Sequence, residues 1–221
     1  MKQFINKEQM NNYIFLAIVE LIVLFMFKNA ISTDNIMANT FSIIVIVVFV
    51  IPVVLSYFST DILPIFNNML IPRFQTKKRL FYFIIVKTIF DSFKIVCILL
   101  VPIHIITTFV YRIHFFELTR YYFSFFMVIM LIFIVFMIVY FKVRNKNVAI
   151  IITYCLSNVM NLLSSLFREK SIPNLVEVMH LEYENKVFLI VFILLLIVTL
   201  MVILYKIVSR FEMVGETKNV L

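Results

Sequence analysis

Glycine is almost absent from this chain, and the only one, Gly215, stands near the carboxyl end. A phosphate-binding loop needs several glycines, because its backbone N–H groups must wrap closely around the phosphates. The chain therefore does not bind and hydrolyse a nucleotide by that route. No glycine occurs in any long apolar run either, which excludes the glycine-based close contact between membrane helices.

Histidine is also scarce. The three histidines are His104, His114 and His180, and no two of them are four residues apart. A zinc protease would need two histidines on one helical turn beside a glutamate, and an intramembrane serine protease would need a serine with a base and oxyanion donors. We therefore expect no enzyme activity, no metal and no cofactor. Cys97 and Cys155 lie in apolar runs, where free thiols behave as small hydrophobic side chains.

Charged residues make up only 14% of the chain and hydrophobic residues 63%, against about 25% and about 45–50% in soluble domains. This composition predicts an all-α, polytopic integral membrane protein that forms a single transmembrane domain in the lipid bilayer. The net charge of +8 would also suit a nucleic-acid-binding protein, but the basic residues flank apolar runs, as membrane topology requires. We therefore expect no nucleic-acid partner.

Six apolar runs approach or exceed the roughly 20 residues that a helix needs to cross the hydrocarbon core. Glu20 lies within the first run. This charge favours a retained membrane anchor over a signal peptide, whose core is normally uncharged and whose cleavage site here, Ala30-Ile31-Ser32, is poor. The predicted spans are 13–28, 41–59, 82–110, 123–142, 148–167 and 187–206.

Prolines interrupt two of these spans, Pro52 in the second and Pro102 in the third. Neighbouring groups in a membrane bundle can satisfy the carbonyl that a proline leaves unpaired, so we expect a kink at each position and not a break. The apolar pattern of the third span, from Leu80 to Val110, is longer than one crossing requires. Its first part is therefore expected outside the hydrocarbon.

Lysine and arginine are distributed unevenly over the links between the spans. Alternate links, starting with the amino terminus, hold 12 of these residues, and the remaining links hold 6. Cytoplasmic links carry the excess of positive charge. We therefore expect that both termini lie in the cytoplasm and that the protein lies in the plasma membrane. The link 168–186 predicts a short amphipathic helix lying flat on the membrane surface. Its apolar face consists of Ile172, Leu175, Val176, Met179 and Tyr183.

Apart from the lysines at span ends, four charged residues lie within spans: Glu20 in the first, and Lys87, Asp91 and Lys94 in the third. A charge at mid-bilayer costs roughly 3 kcal/mol or more and persists only if it is paired or wetted. The spacing of four and three residues puts Lys87, Asp91 and Lys94 on one helical face, where opposite charges pair as a ladder at the cytoplasmic edge. Glu20 either neutralises Lys87 or Lys94 of a neighbouring helix or contacts a proton or substrate.

The fifth span is amphipathic within the membrane. Its polar residues recur at intervals of three and four, so one polar stripe runs down the helix and must face protein or water instead of lipid. The stripe either lines a translocation path or forms a hydrogen-bonding seam between helices or between two copies of the chain. It consists of Tyr154, Ser157, Asn158, Asn161, Ser164 and Ser165.

The link between the second and third spans is the densest cationic segment of the chain. Its first part, 64–72, is apolar and bounded by prolines, which suits a one- or two-turn helix at the inner membrane surface. The link continues into the third span as Asn67-Asn68-Met69-Leu70-Ile71-Pro72-Arg73-Phe74-Gln75-Thr76-Lys77-Lys78-Arg79, followed by Lys87 to Phe93. With six crossings and both termini inside, these residues resemble the corresponding part of the membrane subunit of bacterial ATP-binding-cassette exporters of the ABC type-2 permease class.

The resemblance implies a coupling helix that docks on a separate cytoplasmic ATPase subunit. It also implies a homodimer, or a heterodimer with a second permease, and the composition is similar to that of low-GC Gram-positive permeases that export hydrophobic or amphipathic peptides. The alternative is a bacteriocin immunity or sensor protein that acts by binding without transport. The implied coupling residues are Asn67, Asn68, Met69, Leu70, Arg73, Lys77, Lys78 and Arg79.

Overall fold

The computed structural model of the chain describes residues 40–61, 76–110, 118–167, 178–179 and 186–210, together with Ile14, Ile18, Met37 and Arg112. Every regular element in these ranges is helical and none is a strand, so the all-α class is confirmed. The elements are α1 (Ile43–Val45), a π-helical segment (Ile46–Val50), α2 (Ile51–Asp61), α3 (Lys77–Val110), α4 (Thr119–Val143), α5 (Lys146–Phe167) and α6 (Lys186–Arg210).

Within the described ranges, three helices are long and apolar enough to cross a membrane. They occupy Lys77–Phe109, Thr119–Val143 and Val187–Arg210, with mean hydropathies of 2.1, 2.9 and 3.6. They coincide with the third, fourth and sixth predicted spans and indicate a membrane protein. The six-crossing layout with both termini in the cytoplasm stays a prediction, and the first predicted span is represented by Ile14 and Ile18, which are both helical.

Helix α4 lies at the centre of the bundle and packs against α2, α3, α5 and α6. The rest of the protein buries 67% of the most apolar stretch of α4, compared with 22% of the most apolar stretch of α6. The reason is visible in the sequence, since α4 carries large apolar side chains on all sides instead of along one stripe. Phe125, Phe133, Phe136 and Met137 of this helix are all completely buried. Helix α6, in contrast, leaves most of its surface for lipid or for another subunit.

The π-helical segment ends at Val50, two residues before Pro52. The Ile51 N–H donates to the carbonyl oxygen of Ile46, five residues back, whereas an α-helix would bond four residues back. A proline ring clashes with the carbonyl group four residues before it, and the wider π turn relieves this crowding. A π-bulge is also a recognised cause of helix bending, so the kink predicted at Pro52 has a local structural basis. Helix α3, by comparison, continues in α-helical form through Pro102.

Helix α3 has 34 residues and is therefore about 51 Å long, well beyond the roughly 30 Å of the hydrocarbon core. It begins at Lys77, before the predicted span boundary at residue 82. Thr76 caps this end, because its Oγ1 accepts a hydrogen bond from the Arg79 N–H at 3.3 Å. The first turn of α3 is thus capped and regular, and its position outside the hydrocarbon stays a prediction.

Between the end of α5 and the start of α6 at Lys186, two residues are described, the helical pair Val178 and Met179. Both are buried, and the Ser124 Oγ of α4 donates a hydrogen bond of 2.7 Å to the Met179 carbonyl oxygen. The prediction that Met179 faces the membrane from a surface helix is wrong, because Met179 is enclosed by protein and its backbone is bonded to α4. The other residues of that predicted helix lie outside the described ranges.

Candidate functional site

A buried pair of opposite charges lies on α3. The Asp91 side chain is 1% exposed, and the Lys87 Nζ lies 2.9 Å from both of its carboxylate oxygens. The four-residue spacing predicts this pair, since residues four apart are neighbours on a helix surface. The burial differs from the prediction of an edge ladder, because Asp91 is enclosed by the protein.

Lys94, one turn further along α3, contacts a different helix. Its Nζ donates a hydrogen bond of 3.2 Å to the Tyr57 Oη of α2 and lies 5.4 Å from the centre of the Tyr57 ring. Tyr57 is 2% exposed. No sequence pattern relates Tyr57 to Lys94, which lies 37 residues further along the chain. The contact joins the two helices that flank residues 62–76, where the coupling segment is predicted.

Further polar side chains lie beside this charged cluster of Lys87, Asp91, Lys94 and Tyr57. Thr88 and Ser92 are 2% and 0% exposed, and Ser92 Oγ has no hydrogen-bond partner in the described part of the chain. Buried polar atoms normally have a partner, so this site has unused hydrogen-bonding capacity. Glu20 lies outside the described residues, and its pairing with Lys87 or Lys94 stays a prediction.

The polar stripe of α5 faces inward over its described half. Ser157 is buried and Tyr154 and Asn158 are half-buried, whereas Cys155 and Leu156 are exposed. Ser157 Oγ donates a hydrogen bond to the Thr153 carbonyl oxygen (2.8 Å), and Asn158 Nδ2 donates one to the Tyr154 carbonyl oxygen (2.9 Å). These two bonds stay within α5 and do not form a seam. Asn161, Ser164 and Ser165 belong to α5, but their side chains lie outside the described part.

Two buried oxygen atoms on α5 have no hydrogen-bond partner among the described residues. They are Thr153 Oγ1 and Asn158 Oδ1, and the Thr153 side chain is completely buried. Thr153 is absent from the predicted stripe, although it lies four residues before Ser157 and so on the same helical face. The inward face of α5 is therefore more polar than the predicted stripe.

Replacing Thr153 with valine is expected to leave stability unchanged or to raise it by about 1 kcal/mol. Valine has nearly the same shape, and removing an unpaired buried hydroxyl relieves its desolvation penalty. The apparent melting temperature of the purified protein in detergent measures the effect. Ser157→Ala is the matched control, which should lower stability by about 0.5–1.5 kcal/mol because its hydroxyl is bonded. An equal loss in both variants would contradict the expectation.

The predicted coupling residues are only partly described. Asn67, Asn68, Met69, Leu70 and Arg73 lie outside the described ranges. Lys77, Lys78 and Arg79 form the first turn of α3, where the partial positive charge of the helix terminus makes each cation unfavourable by about 0.3–1 kcal/mol. Lys78 and Arg79 are exposed. Local helix stability therefore does not explain these cations, whereas an anionic surface beside them would offset the repulsion.

His104 is packed between α3 and α4. Its Nδ1 lies 3.1 Å from the Tyr122 Oη, and the residue is 6% exposed. This hydrogen bond ties the two helices at the end of the bundle away from Lys77. In the part of the chain that the structure describes, no three His, Cys, Asp or Glu side chains come together as a metal site would require.

Comparisons with known protein families, with curated protein sequences and with solved structures return no match. Function is therefore inferred from the chemistry of the bundle itself. Its most informative features are the charged cluster between α2 and α3, the inward-facing polar atoms that have no partner among the described residues, and the cations at the start of α3.

Proposed function

We propose that the chain is the membrane-spanning permease subunit of an ATP-driven exporter, with six crossings and both termini in the cytoplasm. The observation that supports this most is the contact between Lys94 and Tyr57. It connects α2, which ends at Asp61, with α3, which begins at Lys77. A displacement of the coupling segment between these ends would act on both helices at once and reach the buried charged cluster.

A separate ATPase subunit must supply the energy, since the chain has no phosphate-binding loop. ATP binding and hydrolysis in that subunit would move the coupling segment and rearrange α2 and α3 within a homodimer or a heterodimer with a second permease. The proposed cargo is a hydrophobic or amphipathic peptide. Its backbone needs hydrogen-bond partners inside the membrane, and the unpartnered Ser92 and Thr153 hydroxyls suit that need.

The test is purification of the affinity-tagged chain under native expression, followed by identification of bound subunits. We expect an ATPase with a phosphate-binding loop to co-purify, and inside-out vesicles to accumulate a labelled amphipathic peptide only with ATP. A chain that is monomeric and active without an ATPase would overturn the proposal. Sensitivity to a peptide on loss of the chain, with unchanged peptide efflux, would instead favour an immunity or sensor protein.

Tyr57→Phe is expected to slow ATP-dependent peptide export roughly tenfold while the ATPase stays bound. The variant keeps the ring beside Lys94 but removes the hydroxyl. A hydrogen bond to a charged group contributes about 1.5–3 kcal/mol. A difference of about 1.4 kcal/mol corresponds to a factor of ten. Export into inside-out vesicles measures the effect. Tyr82→Phe is the matched control, since Tyr82 is 65% exposed. Equal export by the two variants would show that the Lys94 contact does not transmit the movement.

A further inference from the structure

The first turn of α3 and the last turns of α6 lie side by side at one end of the bundle. The rings of Phe81 and Tyr205 meet edge to face, with their centres 5.0 Å apart. Leu80 and Leu204, beside these rings in sequence, are buried. The contact brings together cations that are more than 120 residues apart in the chain. We call the exposed set Lys78, Arg79, Lys206 and Arg210 the basic platform.

The basic platform extends beyond the central helix. Phe58 of α2 contacts Phe133 of α4, and the neighbouring Tyr57 contacts Lys94 of α3, so these positions share one level of the bundle. From that level α3 continues for about 24 Å to Lys78, whereas α4 continues for about 15 Å to its end. On this measure Lys78 lies about 9 Å beyond the end of α4, and Lys206 and Arg210, which follow Tyr205 at the level of Phe81, lie about 6 Å and about 12 Å beyond it.

Two tiers of positive charge follow from this difference. The nearer tier is at the turn between α4 and α5, where Lys142, Arg144 and Lys146 are exposed, a level that suits lipid headgroups. The attraction of an anionic leaflet falls off within a Debye length, which is about 8 Å at physiological salt. The outer residues of the basic platform, Lys78 and Arg210, therefore lie beyond the main range of the leaflet's attraction, where a protein surface can reach them.

Exposed aromatic surface accompanies the platform. Tyr205 is 40% exposed, and tyrosine and arginine are enriched among the residues that contribute most to protein interfaces. A second copy of the chain would bring equal charges together, which opposes association. The occupant with complementary charge is an acidic protein surface.

We propose that the basic platform binds an acidic face of the ATPase subunit, with Lys206 and Arg210 of α6 as contact residues in addition to those at the start of α3. The inference rests on the proposed function, since it names the surface at which that partner is held. It also gives α6, the least enclosed of the three membrane helices, a direct connection to the ATPase.

The test is the double charge reversal Lys206→Glu/Arg210→Glu in the tagged full-length chain, co-expressed with the ATPase that the wild-type chain retains. We expect at least a tenfold loss of retained ATPase in detergent at low salt. The neutral variant Lys206→Gln/Arg210→Gln should lose less. The matched control Lys142→Glu/Lys146→Glu changes the net charge equally but at the nearer tier, and it should retain the ATPase within twofold of wild type.

Each other outcome overturns the inference. If the platform variants keep the ATPase, the inference fails while the proposed function stands; if the wild-type chain holds no ATPase, both fail. An equal loss in the control would mean that net charge alone governs binding. Retention in detergent with loss of activity only in vesicles containing phosphatidylglycerol would make the platform a lipid site. A melting temperature equal to that of the wild type shows that a variant is folded. If the charge-reversal variant does not fold, the neutral variant is used for the test.

Discussion

Asp91→Asn is expected to destabilise the protein by about 3 kcal/mol, the largest effect among the charged residues. The Asp91 carboxylate is enclosed by protein and lies 2.9 Å from the Lys87 ammonium. Breaking a buried ion pair by removing one partner typically costs about 3–5 kcal/mol, because the remaining charge is left uncompensated. We take the lower end, since the Lys87 side chain is 17% exposed. The apparent melting temperature in detergent should fall by roughly 6–12 °C.

The double variant Lys87→Met/Asp91→Leu provides the control for this prediction. Replacing a buried pair with apolar side chains of similar volume is often neutral or stabilising, so the melting temperature should return close to that of the wild type. If the double variant is stable but does not export peptide, the charges serve the mechanism. If Asp91→Asn alone leaves stability, assembly with the ATPase and export unchanged, the charged cluster contributes to none of the three.

Phe58→Ala is expected to cost about 3 kcal/mol, the largest effect among the apolar residues. Phe58 is completely buried, contacts Phe133 and stacks on Phe136 with ring centres 6.4 Å apart. Truncating a buried phenylalanine costs about 3–5 kcal/mol in soluble proteins. Lipid is as apolar as the bundle interior, so the transfer contribution is small in a membrane and the lost packing dominates. The lower value is therefore expected for this site.

Phe93→Ala is the matched control because the same side chain is 58% exposed at that position. Its loss should change stability by less than about 0.5 kcal/mol. Thermal unfolding of the two purified variants in the same detergent provides the comparison. Equal melting temperatures would contradict the central position of α4, because they would mean that packing on Phe133 and Phe136 does not hold α2 in place.

The predicted third, fourth and sixth spans agree with α3, α4 and α6 to within a few residues. Their limits depend on apolar length and on flanking cations, which are local properties of the sequence. The start of α3 at Lys77 departs from the prediction because the Thr76 cap extends the helix beyond the apolar run. The Lys87–Asp91 pair was predictable for a similar reason, since both residues lie on one helical turn.

Contacts between helices were not predictable. Lys94 and Tyr57 are 37 residues apart, and neither periodicity nor spacing relates them. The Ser124 bond to Met179 joins residues 55 apart and reverses the expected exposure of Met179. Where most residues of a span are apolar, composition does not distinguish a residue that faces lipid from one that faces another helix.

The sequence by itself determined that this chain is helical, that it belongs in a membrane, and that it has no phosphate-binding loop of its own. These properties follow from composition and from contacts within one turn of helix. Only the tertiary structure decided which charges are buried, which aromatic rings enclose them, and that the start of α3 and the end of α6 form one basic surface. The physical reason is that helix packing in lipid depends on shape and on sparse hydrogen bonds, which the apolar pattern of a single span does not encode.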